Sequence, residues 1–141
     1  MTPEQIKAVQ ESFAKVVPIS EQAAAVFYGR LFEIAPEVKP LFRGDMKEQG
    51  RKLMGTLVVV VSGLSNLQAI LPAASVLAKK HVDYGVKAEH YTPVGEALLW
   101  TLERGLGPDW TPELAAAWGA AYGLLSGYMI GEAYSRSAAA E

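Results

Sequence analysis

Both histidines of this chain fall inside AKKHVDYGVKAEHY, residues 78–91. Counting back from His81 gives Leu77, Ala74 and Ile70, at i−4, i−7 and i−11. On a helix that spacing makes the imidazole project from the apolar face. Two roles are open to it there. It is a core histidine hydrogen-bonded to a backbone carbonyl, or an axial ligand to a metal macrocycle, because neutral imidazole binds iron well and such a group needs one protein ligand. His90 lies nine residues on, past Gly85, and cannot share that face. It reads as a polar residue at a turn, without chemistry. Upstream, Gln49 and Leu53 are four apart and share one helix face. A Gln amide among Leu and Val needs a partner, since burying it unpaired costs on the order of 1–3 kcal/mol. Gln49 is either a core glutamine satisfied by water or a donor to a ligand. Tyr28 is either a core aromatic whose hydroxyl reaches the surface or a second such donor.

Composition removes most other chemistry. The 141 residues fit one domain, long enough to bury a core unaided. Thirteen Lys and Arg against fifteen Asp and Glu leave a net charge of −2, which argues against nucleic acid as a partner. There is no cysteine, so disulfides and thiolate chemistry are excluded, and two histidines cannot build a common zinc site without several carboxylates. No Gly-rich phosphate loop or G-x-S-x-G elbow occurs. Demanding chemistry must therefore come from a bound cofactor. The longest apolar run, TLVVVV, is far short of the roughly 20 residues that span a bilayer, so no membrane insertion is expected. The opening MTPEQIKAVQ has no apolar signal core and reads as cytoplasmic.

The elements that must hold these residues are helices. Thr2-Pro3 with Gln5 forms a capping box, followed by the stripe Ile6, Val9, Phe13, Val16 and Val17, which Pro18 stops. Ser20 opens a second helix to about Ala35, before APEVKPLF allows only a tight turn. Gly44-Asp45 opens a third, with Leu53, Leu57, Val60 and Leu64 on its apolar side. Valines 58–61 alone suggest a strand, but eighteen residues without a hairpin signal predict a helix buried over much of its surface. Ser65 with Gln68 makes another box, and that helix ends near Tyr84-Gly85. Thr92-Pro93 begins a further helix to about Arg104. Thr111-Pro112-Glu113 begins the last, with Leu114, Trp118, Tyr122, Leu125 and Met129 as its stripe. The expectation is a single all-α domain over residues 1–141, six to eight helices packed obliquely, with a frayed tail from about 135.

Five segments, in order and without large insertions, carry a resemblance: VFYGRLFEIAPEVKPLF, EQGRKLMGTL, ILPAASVLAKKHVDYGV, EHYTPVGEALLWTL and AAAWGAAYG. The chain resembles a globin, in particular the bacterial single-domain haemoglobins and the globin part of flavohaemoglobins. The resemblance implies the globin fold around a haem, of which iron protoporphyrin IX is the expected form. It implies that His81 is the proximal iron ligand and that Lys80 pairs with a haem propionate. Phe42 wedges against the haem face, and Leu53 stands above the iron. Val86 and Val94 join the cofactor contacts, and Tyr91 hydrogen-bonds near the proximal histidine. Tyr28 and Gln49 form the distal polar pair. The family's proximal glutamate stands eleven residues after the tyrosine of AYG. Here that position is Ala133, and Glu132 falls one short, which places it about 100° away on a regular helix.

Gln49 is a poor iron ligand, so the ferrous iron is expected to be five-coordinate, with Lys52 and Tyr28 the available internal ligands in the ferric state. The implied function is reversible binding of O2, with NO and CO as further ligands. Two alternatives stay open. One is nitric oxide dioxygenation served by a separate reductase, since no G-x-G-x-x-G occurs in the chain. The other is a gas or redox sensor.

Overall fold

The computed structural model describes residues 1–42, 44–83 and 86–132. Six α-helices account for most of them: α1 Pro3–Val16, α2 Ser20–Ile34, α3 Met46–Ser62, α4 Leu67–Asp83, α5 Tyr91–Leu106 and α6 Pro112–Ile130. Short 3-10 turns join them, and the fold is all-α. Helix starts follow capping chemistry where it exists. Thr2 and Gln5 make the expected reciprocal box, Asp45 accepts from the Lys47 amide, and Thr111 accepts from the Leu114 amide. Four expectations are corrected. Val17 leaves the α1 stripe for a 3-10 turn at Val17–Ile19 and is 45% exposed, because Pro18 redirects the chain. Ser65 sits inside the 3-10 turn Gly63–Asn66 rather than capping, and α4 starts at Leu67. Thr92 lies in the first turn of α5, which begins at Tyr91 after the 3-10 turn Ala88–His90. The α3 valines are helical as expected, but Val58 and Val59 are exposed rather than buried. Gly85 and the tail from residue 133 lie outside the described residues.

Packing divides into two apolar bodies. The larger gathers α1, α2, α5 and the first half of α6 around Val9, Leu31, Val38, Leu102 and Trp118, with α3 resting on α2. The smaller forms where α4 meets α6, around Ala74, Ala78, Tyr91 and Met129. One buried polar contact fastens the larger body: the Trp118 indole donates to Ser12 Oγ at 2.9 Å, and Ser12 donates to the Val9 carbonyl at 3.0 Å. Burial of an indole N–H without such an acceptor would be costly.

Helices α3 and α4 are two 17-residue arms meeting at Gly63–Asn66. Taken as one run, Met46–Val82 is long and apolar enough to cross a membrane by length and composition. The 3-10 break, with Leu64 buried at its centre, divides that run into arms each shorter than a bilayer requires. Arm α4 is tied to its neighbours through small side chains, and α5 meets α6 at Gly95, where a Cβ would stand 2.6 Å from the Tyr122 ring. Gly95→Ala is therefore expected to destabilise the fold by about 1–3 kcal/mol through overpacking. Gly119→Ala, which meets nothing within 4 Å, should be neutral or stabilising. Urea unfolding of the two variants checks the contrast.

Candidate functional site

His81 stands in the last turn of α4, half-buried. Its Nδ1 lies 2.7 Å from the Leu77 carbonyl one turn back. A carbonyl only accepts, so Nδ1 is the donor in this contact. Both roles considered for this residue are thus compatible, since a backbone-bonded imidazole is also a ring held in one orientation. The Val86 amide closes the helix end on the His81 carbonyl at 2.9 Å. The buried Tyr91 ring stacks beside the imidazole, centroids 6.3 Å apart and planes at 29°. Tyr122 holds Tyr91 from behind, its hydroxyl donating to the Tyr91 carbonyl. Burial, and secondly the neighbouring Tyr91, push the Tyr122 hydroxyl far above the usual phenol range, so it remains a donor. Sequence reading placed Tyr122 on a helix stripe and as the tyrosine of AYG, and gave it no hydrogen-bond partner. His90 is the turn residue expected, its Nδ1 accepting from the Lys87 amide at 3.0 Å.

Tyr28 on α2 is buried among aromatics, its ring 5.1 Å from Phe27, 5.2 Å from Phe42 and 6.0 Å from Phe32. Its hydroxyl donates to the Gln49 backbone carbonyl at 3.2 Å. The pair expected to act together does meet, although through the Gln49 main chain rather than its amide. Burial pushes the Tyr28 hydroxyl up to about 12. Gly50 is what lets α3 approach α2 here, since a Cβ would lie 3.0 Å from that of Ala24. Leu53 follows one turn after Gln49, half-buried, and it packs on the larger body together with Phe42, Leu57 and Val94. Val86 packs on the smaller body with Leu77 and Leu125. Lys80 and Lys52 are exposed at the surface.

Glu132 goes elsewhere. The end of α6 widens into a π-helical turn at Gly131–Glu132, and the Glu132 carboxylate accepts from Ser75 Oγ at 2.8 Å and from the Tyr128 hydroxyl at 3.5 Å. Ser75 precedes His81 by six residues, about 9 Å back along α4 and about 120° around it. Nothing in the sequence spacing marked Ser75 as the partner.

The residues fit a haem. Among the described residues no group of three or more His, Cys, Asp or Glu could hold a bare ion. A single neutral imidazole suits a macrocycle that brings four nitrogens of its own. Half-buried apolar side chains border both bodies, Phe42, Leu53 and Val94 on one and Leu77 and Val86 on the other, as a flat apolar group requires. Lysines such as Lys80 stand exposed for its carboxylates.

Comparison with known proteins agrees. A family model described as Globin matches residues 25–129. A flavohemoprotein of Rhodopirellula baltica is 35% identical over 129 residues, covering 89% of this chain and 32% of its own length. One from Bordetella parapertussis is 33% identical, covering 99% of this chain and 36% of its own. The chain thus spans about a third of the curated relatives it matches. Among solved structures, a bacterial globin from Campylobacter jejuni superposes with a TM-score of 0.84 at 29% identity, covering 97% of this chain and 99% of that one. An engineered carbene transferase, a variant of RmaNOD from Rhodothermus marinus described as a candidate nitric oxide dioxygenase, gives 0.86 at 30% identity, covering 100% and 99%. An imidazole fixed on an apolar face, within an all-helical chain matched over most of its length, makes this chain a member of the globin family, proteins that bind haem and through it diatomic gases.

Proposed function

We propose that this chain binds O2 reversibly at a haem iron ligated by His81, with Tyr28 and Gln49 donating hydrogen bonds to the gas. The observation that carries the reading is the buried Tyr28 hydroxyl held at Gln49, 3.2 Å from its carbonyl. Haem, when bound, would supply a ferrous iron able to take O2, NO or CO. In this reading His81 presents Nε2, because Leu77 already accepts the Nδ1 proton. Phe42, Leu53, Val86, Tyr91 and Val94 provide the apolar contacts, and Lys80 pairs with a propionate of iron protoporphyrin IX. The Tyr28 contact is long for an O–H···O bond, whose usual length is about 2.7–2.8 Å, so the hydroxyl gives up little when it turns to a more negative acceptor. O2 on iron is such an acceptor and CO much less so. Each charge-assisted donor adds about 1.5–3 kcal/mol, which slows O2 release roughly ten- to a hundred-fold.

A second reading is nitric oxide dioxygenation, favoured by the flavohemoprotein relatives and by a structural neighbour described as a candidate nitric oxide dioxygenase. Conversion of O2 and NO to nitrate consumes one electron, so this role depends on a supply of single electrons. The same distal donors would hold the O2. Sustained NO consumption at a rate set by added reductase supports this reading. A single stoichiometric burst of nitrate, unchanged by reductase, supports O2 binding alone.

Tyr28→Phe should raise the O2 dissociation rate ten- to a hundred-fold and change the CO rate less than about threefold. Flash photolysis with stopped-flow mixing measures both, and an unaltered O2 rate would remove Tyr28 from the site. The same residue sets an alkaline signature. A phenol raised from 10 to about 12 on folding contributes its full share of stability below pH 10 and loses it as pH climbs through 12. That share is about 2–3 kcal/mol. Urea midpoints between pH 9 and 11.5 should fall less steeply in Tyr28→Phe than in the wild type.

A further inference from the structure

Gln49 on α3 and His81 on α4 each stand about 20 Å along their helix from the turn Gly63–Asn66. The two helices meet chiefly through this turn, on which both of them pack. On the α3 side the turn is held by α1, where the Gln10 side-chain amide donates to the Val61 carbonyl at 3.0 Å. On the α4 side it is held by Ile70, buried in the first turn of that helix against Gly63. Gly63 has a φ of −87°, so no left-handed backbone asks for glycine there. Space does. A Cβ at this position would overlap the Ile70 Cγ2 methyl, more tightly than at any other described glycine. Ile70 cannot swing that methyl aside, because two branches on Cβ leave an isoleucine in a helix one strongly preferred rotamer. An atom added at position 63 must therefore move the helix. A tilt of about 5° at the joint displaces a point 20 Å along α4 by nearly 2 Å, which exceeds the tolerance of about 0.5 Å for a functional constellation.

We propose that the contact of Gly63 with Ile70 is a positioning joint, which fixes the angle at which α4 leaves the turn and so the place of His81 relative to Gln49 and Leu53. The inference rests on the haem reading above. Both residues act through the helix, since Ile70 precedes His81 by 11 residues, about 16 Å. The stop has a fixed size on each side. The glycine offers no side chain, and the branched Cβ of Ile70 offers one methyl in one orientation. A methyl added to the glycine drives α4 away from the turn, and removal of the branch on Ile70 makes room for it again. Gln10 keeps the α3 end of the turn on α1 meanwhile, so the displacement falls on α4.

The test uses the haem-loaded ferrous protein without gas. Gly63→Ala should lower the iron–histidine stretching frequency in resonance Raman spectra, because a displaced ring meets the metal off its preferred line. It should also speed haem loss to excess apomyoglobin about tenfold. Gly63→Ala/Ile70→Leu, which takes the branch off Cβ, should restore the band and bring haem loss within about threefold of the wild type. Gly63→Ala/Ile70→Val keeps the branch and should restore neither. Trp118→Phe removes the indole donor to Ser12 and lowers the urea midpoint, yet should leave the band in place. Should Gly63→Ala not fold, Ile70→Ala reads the same joint from the other side, and loss of the stop should shift the band there too. An unshifted band in the foldable joint variants, rescue by valine equal to that by leucine, or the same shift in Trp118→Phe would each overturn the joint alone. Wild-type protein that takes up no haem, or that keeps its iron–histidine band in His81→Gly, would overturn the haem reading and this inference together.

Discussion

The hydrogen bond between His81 Nδ1 and the Leu77 carbonyl, 2.7 Å long, sets what the rest of the chain can do. It makes Nδ1 the donor on that side and holds the ring against the helix that carries it. The Tyr91 ring beside it and the Val86 amide on its carbonyl narrow the ring's freedom further. Without that contact an imidazole at a helix end is free to turn toward water. The neighbouring tyrosines extend the support, because Tyr122 anchors the first turn of α5 through the Tyr91 carbonyl.

Two apolar bodies, rather than one, follow from where the arms rest. Arm α3 lies on α2 and arm α4 on α6, and they are tied to each other at the Gly63–Asn66 turn. Close approach at the ends is carried by small residues: Gly50 against Ala24, and Gly95 under Tyr122. Side chains that a single core would bury fully remain half-buried along the border. This is the geometric condition for holding a broad apolar ligand, and it costs stability in the bare chain that binding a ligand returns through linkage.

Much of this architecture was legible in the sequence because the signals were local. Thr2-Pro3-x-Gln5 and Thr111-Pro112 are capping chemistry, and both helices start where that chemistry puts them. The stripe Ile70, Ala74, Leu77, His81 is a periodicity that needs no partner to be read. The failures were tertiary. Ser65 with Gln68 has the letters of a box, but the turn that joins the arms takes a 3-10 path, and α4 begins two residues later. Valines 58 and 59 look like core, yet α3 buries only the face that meets α2. Tyr28 meeting Gln49 through a main-chain carbonyl could not be read from residue types, since every residue offers that acceptor. The Ser75–Glu132 bond joins residues 57 apart and depends on the widened last turn of α6.

That last bond bears on which chemistry the proposed iron site favours. A carboxylate accepting the Nδ1 proton gives the imidazole partial anionic character, and an electron-rich ligand promotes cleavage of an O–O bond. A backbone carbonyl is a weaker, uncharged acceptor and leaves the ring nearly neutral. In this chain Nδ1 meets the Leu77 carbonyl, and the Glu132 carboxylate accepts from Ser75, about two turns back along α4, and from Tyr128. On the distal side, a phenol held near 12 stays protonated and donates without surrendering a proton. In the proposed reading, a carbonyl-bonded proximal imidazole and a distal phenol that stays protonated both favour holding O2 intact over breaking it.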